Sequence, residues 1–243
     1  MANIEGSPLT YKVDGGTFSG YLAIDTDIKG KRPGVIVVHE WWGLNNYIRE
    51  RARKLAEAGY AAFAIDMFGG GATADNPEQA SALMNGVLAD MDAGTARARG
   101  AYETLIEQPG VDADRTAAIG YCFGGAVALH MARIGLPLNA VVSFHGALGS
   151  FHTAEPGSVK PSILVCHGGA DAMVTDDDLA AFRKEMDTAG ADYEVIVYAD
   201  AMHGFTNPKA TERGQKYGLP LAHDADADTA SWQSMIDLFN RVF

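Results

Sequence analysis

The stretch Gly120-Tyr121-Cys122-Phe123-Gly124-Gly125 constrains this chain more than any other. It follows a short β-type run, Arg115 to Ile119, and opens a helical run, Ala126 to Ala132. A strand that turns straight into a helix needs a bend too sharp for neighbouring Cβ atoms, and the two flanking glycines supply that room. The residue at the apex, Cys122, is then presented at the carboxyl end of the strand, above a helix N-terminus. That is a Gly-x-nucleophile-x-Gly elbow with a thiol in serine's usual place. The helix dipole favours the thiolate there. Cysteine before a small-residue helix is also common in cores, so the hexapeptide needs support from the rest of the chain.

That support begins with the order of elements. Tyr11 to Val13 and Thr17 to Ile24 read as strands joined by Asp14-Gly15-Gly16, a hairpin-turn signal. Gly34 to Val38 is a continuous apolar run, a strand buried on both faces. Asn46 precedes a helical pattern through Ala58, with Gly59 to stop it. Ala61 to Met67 is a further apolar run, and 69–76 is a glycine-rich loop. Pro77 to Gln108 reads as helix, broken near Gly86 or Gly94. Strands follow at Thr116–Ile119, Ala140–Phe144, Ser162–Cys166 and Tyr193–Tyr198, with helices at Ala126–Ile134, Asp177–Ala189 and Thr229–Phe243. This alternation predicts an α/β fold: a mostly parallel sheet, helices on both faces, and only the opening hairpin antiparallel.

The chain has 243 residues and shows no linker, charge block or repeat, so a single domain over 1–243 is expected. A formal charge of −12 repels phosphate backbones and argues against nucleic-acid binding. Part of the acidity sits in Asp176-Asp177-Asp178, which lacks the ligand spacing of a calcium loop and reads as helix N-terminal acids. Only two cysteines, Cys122 and Cys166, are present, too few for a disulfide framework. Met1 to Thr10 has no basic and apolar leader pattern, and no apolar run reaches the roughly 20 residues of a membrane helix. A reducing cytoplasm and no membrane partner are the expectation.

Ligands of open α/β sheets sit at the carboxyl ends of strands, so the residues that follow each strand matter. They are His39-Glu40-Trp41-Trp42-Gly43, then Cys122, then His145-Gly146, then His167-Gly168-Gly169-Ala170-Asp171, then Asp200-Ala201-Met202-His203-Gly204-Phe205. A thiol needs a base, and the base an orienting acid. The chain order nucleophile, acid, histidine is met by Cys122, Asp171 and His203. His145 and His167 are the competing bases, and a core histidine bonded to backbone is the usual account of such positions. Asp200 competes for the acid, but lies too near His203 in sequence for easy convergence. Asp66 reads as a structural acid at the sheet edge. Glu40, beside two tryptophans, would be partly desolvated and its pKa raised; the commoner fate of such a residue is a surface cap. Oxyanion donors would be the backbone N–H groups of Phe123, after the elbow, and Trp41, in the loop after the third strand.

Together these residues resemble the dienelactone hydrolase family of α/β-hydrolases, carboxymethylenebutenolidase-like enzymes. The likeness lies in Val38-His39-Glu40-Trp41-Trp42-Gly43-Leu44, the cysteine elbow, Gly168-Gly169-Ala170-Asp171 and His203-Gly204-Phe205, in family order across nearly the whole chain. The resemblance implies Cys122 as nucleophile, His203 as base and acid, and Asp171 as orienting acid. It implies that Glu40 holds the resting cysteine as a thiol and takes its proton when substrate arrives. The activity implied is hydrolysis of a lactone or small carboxylic ester, with no metal or organic cofactor required and a small-molecule ester or lactone as substrate; the sequence leaves monomer and small homo-oligomer both open.

The chain departs from that family at the substrate clamp. The family binds a substrate carboxylate through arginines, one a few residues after the catalytic histidine and one before the elbow. Gly204 to Pro208 and Pro77 to Met84 contain none, and arginine's bidentate geometry is not readily replaced. The longer segment 207–230 carries Lys209, Arg213, Lys216 and Tyr217. It is expected either to cap the site, with Arg213 and Lys216 as substitute cations, or to be a solvated loop. Trp42 and Phe205 would suit an apolar acyl or lactone group, although aromatic residues are also good core. Two rival readings stay open: a general small-acyl esterase or thioesterase on the same site, and a non-catalytic hydrolase fold whose cysteine senses redox state or binds a ligand.

Overall fold

The computed structural model describes residues 2–149 and 151–243; Met1, the first residue of the segment read for a leader, lies outside them. Eight strands form a sheet in the order β1-β2-β4-β3-β5-β6-β7-β8. By density of packing the chain divides into two compact units, one ending at Ala118 and the other running Ile119–Phe243.

In the N-terminal unit, β1 (Ile4–Val13) and β2 (Gly16–Asp25) pair antiparallel from Ile4↔Asp25 to Val13↔Gly16. Asp14 and Gly15 both have positive φ, 49° and 79°, as a two-residue hairpin turn requires. β1 starts well before Tyr11. Its outer half is mostly exposed and carries Pro8, so it lacks the apolar alternation that marks a strand; as the edge strand it tolerates proline.

β3 (Arg32–Val38) and β4 (Ala61–Ile65) are parallel, and Val35–Val38 and Ala61–Ile65 are buried throughout. Between them runs α1 (Asn46–Glu57), capped by the Asn45 side chain, and Gly59 follows it at φ 94°. β4 also pairs antiparallel with β2, Tyr21↔Ala64 to Ala23↔Ala62. The expectation that only the opening hairpin is antiparallel is therefore wrong: β2 serves as partner on both of its edges. The long helical run is two helices, α2 (Pro77–Leu88) and α3 (Met91–Ile106). The break falls between the two glycines, because the Asp90 carboxylate accepts the Ala93 N–H (3.0 Å) and starts a new helix.

The last residues of β5 (Val111–Tyr121) open the C-terminal unit and deliver the elbow into α4 (Phe123–Arg133). β6 (Ala140–Phe144), β7 (Ser162–Gly168) and β8 (Tyr193–Tyr198) are parallel to one another. α5 (Asp176–Ala189) begins with a Thr175/Asp178 capping box, and three aspartates fill its first turn, the role expected of that acidic cluster. α7 (Ala225–Val242) is capped by Asp224 and starts earlier than its apolar pattern. Ahead of it, inside 207–230, lies a short helix the sequence did not signal, α6 (Ala210–Tyr217), rich in polar residues. No helix among the described residues is long and apolar enough to cross a membrane.

One buried ion pair braces α4. The Arg133 guanidinium, 1% exposed, donates to both Glu185 oxygens (2.9 and 2.7 Å) and to the Leu148 carbonyl (2.9 Å). Burial raises the Glu185 pKa, but the Arg133 hydrogen bonds and the Ala154 N–H outweigh it and hold the carboxyl below its ordinary value. Its contribution to stability is therefore complete above the ordinary carboxyl range and is lost as pH falls through the lowered folded-state value. Glu185→Ala is expected to cost about 3–5 kcal/mol at neutral pH, since it strands a buried guanidinium. Urea unfolding of both proteins at pH 7 and in mild acid checks this, and the gap should narrow in acid.

Candidate active site

Cys122 adopts φ 54° and ψ −117°, a left-sided conformation that a non-glycine residue holds only when its surroundings force it. Its N–H donates to the Phe144 carbonyl on β6 (3.0 Å), and its carbonyl accepts the Gly125 N–H (3.0 Å). A Cβ at Gly120 would run into the Gly124 carbonyl, and one at Gly125 would lie 2.5 Å from Ser143 Oγ and 2.8 Å from Gly146 Cα. The glycines are thus required by close backbone approach. The Cys122 thiol is partly exposed, at the first turn of α4, where unpaired backbone N–H groups accumulate. Cys166, by contrast, is fully buried, and burial pushes its thiol up to about 12. Both cysteines are free.

His203 follows β8, and its Nδ1 lies 2.8 Å from Asp171 Oδ2. The other Asp171 oxygen accepts the N–H groups of Met173 (2.8 Å) and Val174 (3.2 Å), so both carboxylate oxygens are occupied. An ionised Asp171 can only accept, which places a proton on Nδ1 and leaves Nε2 for other work. Nε2 is buried, has no partner of good hydrogen-bond geometry, and is the nitrogen available to Cys122, which acts on this ring. Burial lowers the His203 pKa, but the Cys122 charge, together with hydrogen bonds to Asp171 and Cys122, outweighs it and pushes the ring up to about 10.

Two glycines bring the acid to the histidine. A Cβ at Gly168 would strike the Ala201 carbonyl, and one at Gly169 would lie 2.6 Å from the Ala199 carbonyl. The Asp171 loop can therefore lie directly on the loop that carries His203, joined by Gly169 N–H to Tyr198 O (2.7 Å) and Ala170 N–H to Ala201 O (3.0 Å). Segment 219–224 flanks the same loop: Ala222 N–H donates to His203 O (3.3 Å) and Asp224 N–H to Phe205 O (3.0 Å). Asp200 is exposed, while Asp171 takes the hydrogen bond. Of the competing bases, His145 bonds a side chain instead of backbone: its Nε2 is 2.7 Å from Thr206 Oγ1. His167 is buried, and burial lowers its pKa against the pull of Asp171 and Asp176. Phe205 is fully buried, packed on His145 and Tyr198. On α6, Lys216 is exposed with its ammonium 5.0 Å from the Tyr217 ring, and Arg213 is half-buried.

In the N-terminal unit, Glu40 lies two residues past the end of β3 and is 4% exposed, not a surface cap. Its carbonyl accepts both the His39 ring at Nδ1 (2.6 Å) and the Gly43 N–H (3.2 Å). The Met67 N–H donates to His39 Nε2 (3.2 Å), so the His39 proton is on Nδ1, and burial keeps that ring neutral. Gly43, at φ 84°, closes the turn against Ala72 and Thr73. Trp42 is buried and Trp41 half-buried, their rings 5.0 Å apart. This histidine clamp on the Glu40 backbone has no sequence signal beyond the adjacent His-Glu. Asp66 is the structural acid expected, accepting N–H groups from Ser19, Phe68, Gly69 and Gly71 (2.8–3.2 Å). Among the described residues no three His, Cys, Asp or Glu side chains are grouped to hold a metal ion.

The chain is similar to known proteins along nearly its whole length. Residues 18–243 match the model of the dienelactone hydrolase family. "Protein usf" of Aquifex pyrophilus is 30% identical, over 90% of this chain and 94% of its own. The structure of "m3DLH" is 40% identical with a TM-score of 0.93, covering 99% of each chain. That of the dienelactone hydrolase-like promiscuous phosphotriesterase P91 from metagenomic libraries is 37% identical with a TM-score of 0.94, covering 100% of each. An eight-stranded, mostly parallel sheet, a strained turn from β5 into α4, and a match over all but the first strand and turn together make this chain a member of the dienelactone hydrolase family of α/β-hydrolases, a hydrolase of ester bonds.

Proposed function

We propose that the chain cleaves a lactone or small carboxylic ester through Cys122, His203 and Asp171, with a thioester acyl-enzyme. The observation that carries this reading is the pairing of a strained, accessible Cys122 with a buried imidazole bonded to Asp171 at 2.8 Å. When substrate arrives, the Cys122 thiol passes its proton to His203 Nε2, by way of Glu40 on the family likeness, and the resulting thiolate adds to the carbonyl carbon. The resulting oxyanion is held by the Phe123 N–H at the head of α4 and, by the family likeness, by the Trp41 N–H. The C–O bond breaks, and the His203 imidazolium protonates the departing alkoxide or enolate. His203 then takes a proton from water, the water oxygen adds to the thioester, and the C–S bond breaks to release the acid and restore the thiolate. Glu40 is assigned, on the same likeness, to holding the resting cysteine as a thiol.

Arg213 and Lys216 are the cations proposed to meet a substrate carboxylate. Replacing both by alanine is expected to raise KM for a carboxylate-bearing lactone about tenfold relative to p-nitrophenyl acetate, the loss of roughly one charged hydrogen bond. An unchanged KM for every acidic substrate assigns 207–230 a structural role only and leaves the neutral-ester reading in place.

A second substrate class is favoured by the full-length likeness to the P91 phosphotriesterase. The same thiolate would add to phosphorus, expel an aryl oxide and leave an S-phosphoryl enzyme that water must cleave. Paraoxon tests it: continuous release of nitrophenolate supports the activity, whereas one equivalent per Cys122 shows trapping alone. Should neither ester nor phosphotriester turn over while peroxide oxidises Cys122, the redox-sensing reading replaces both.

A further inference from the structure

His145 lies where the nucleophile's strand meets the base's loop. It follows Phe144, whose carbonyl accepts the Cys122 N–H (3.0 Å), and its own N–H donates to the Cys166 carbonyl on β7 (2.8 Å). Its φ is 41°, the left-handed region that side-chain-bearing residues seldom occupy. The next residue, Gly146, has Gly125 Cα 2.8 Å from where its Cβ would stand. The backbone of His145 is thus held to the elbow side of the site. Its ring is held to the other side: Nε2 is 2.7 Å from Thr206 Oγ1, three residues beyond His203. The ring meets His203 at 5.3 Å and 65°, and Phe205 at 5.2 Å and 77°. His145 and Thr206 are both buried.

The hydrogen bond that His203 Nδ1–H donates to Asp171 fixes one edge of the imidazole but leaves rotation about that bond free. Proton exchange between Cys122 and Nε2 needs the ring plane fixed as well, because a small misplacement of a reacting group is costly in rate. A neighbouring ring wall supplies what one hydrogen bond cannot.

We propose that His145, docked on Thr206, is a positioning residue that sets the plane of the His203 ring toward Cys122. This rests on the triad reading given above. The titratable groups that face His203 are Cys122 from the elbow, Asp171 from the β7–α5 loop, His167 from β7 and His145 itself after β6. The His145 ring is faced by His203 and by Tyr121 at 6.2 Å.

Thr206→Val removes the hydroxyl at nearly constant volume and is the first test. It is expected to lower kcat for p-nitrophenyl acetate about tenfold with KM within about twofold. It should also slow Cys122 alkylation by iodoacetamide at pH 7 about tenfold, because the misplaced ring no longer receives the thiol proton. Thr206→Ser, which keeps the hydroxyl, restores both readouts. His145→Asn accepts the left-handed backbone but is too short to serve as the wall, and it reports independently should Thr206→Val fail to fold. A Thr206→Val or His145→Asn protein with a lower Tm but wild-type kcat and alkylation profile overturns the inference. His203→Ala separates this outcome from failure of the triad: if it keeps wild-type activity the triad reading falls, and if it is inactive while both other variants behave as wild type, only the positioning role falls.

Discussion

Cys122→Ala and His203→Ala are each expected to lower kcat for p-nitrophenyl acetate by about 10⁴- to 10⁶-fold, and the double variant by no more than either alone. Neither member can substitute for the other. Without the thiol there is no acyl acceptor, and without the imidazole nothing takes the proton at Nε2 or returns it to the leaving group. The structural basis is the elbow at φ 54°, which holds the thiol partly exposed, and a base whose other nitrogen is already committed to Asp171. Residual activity in each variant measures what the oxyanion amides and substrate binding contribute alone. Initial rates for the three variants, with active-site titration of the wild type by iodoacetamide, provide the check. If the two losses add, the residues do not act as a unit, and the mechanism is wrong.

Asp171→Asn is expected to cost about 10⁴-fold in kcat with the fold intact. Asp171 is buried and makes three hydrogen bonds: one to His203 Nδ1 through Oδ2, and two to the Met173 and Val174 N–H groups through Oδ1. An asparagine oxygen can keep the two backbone bonds. Its amide nitrogen then faces Nδ1 and requires that atom to accept, which moves the ring proton to Nε2, where it blocks uptake of a proton from Cys122. Loss of the carboxylate also removes one of the causes that raise the His203 pKa. Alkylation of Cys122 by iodoacetamide at pH 7 should slow accordingly. Near-wild-type kcat in this variant would mean that Asp171 is structural; Asp200, the competing acid, is exposed, whereas Asp171 takes the His203 hydrogen bond.

Much of the site was legible in the chain because its requirements are local. The elbow needs glycines at fixed offsets, and the collisions that a Cβ would cause at Gly120 and Gly125 are the reason. Asp14-Gly15 announced its hairpin through the positive φ that both residues adopt, and Asp176 to Asp178 announced the head of α5 through the helix dipole. Strand ends marked the candidate acids and bases because a parallel sheet gathers them at one edge.

Other features depend on residues far apart in sequence. The antiparallel pairing of β2 with β4 joins residues about forty positions apart, and no local pattern encodes which edge a strand will choose. The split of α2 from α3 turned on a side-chain cap at Asp90 that outcompeted two glycines. α6 was hidden because its polar composition carries no apolar periodicity.

By itself, then, the sequence determined the α/β class and the strained turn at Cys122, and it nominated Asp171 and His203 as candidate acid and base, since backbone sterics and chain order leave few alternatives. Only the tertiary structure decided which His39 nitrogen carries the proton, that Asp171 spends both oxygens, and that His145 bonds Thr206 and stands against His203. Hydrogen-bond partners and ring contacts of this kind are set by where separate strands and loops meet in space, to within a few tenths of an ångström, and spacing along a chain does not encode such distances.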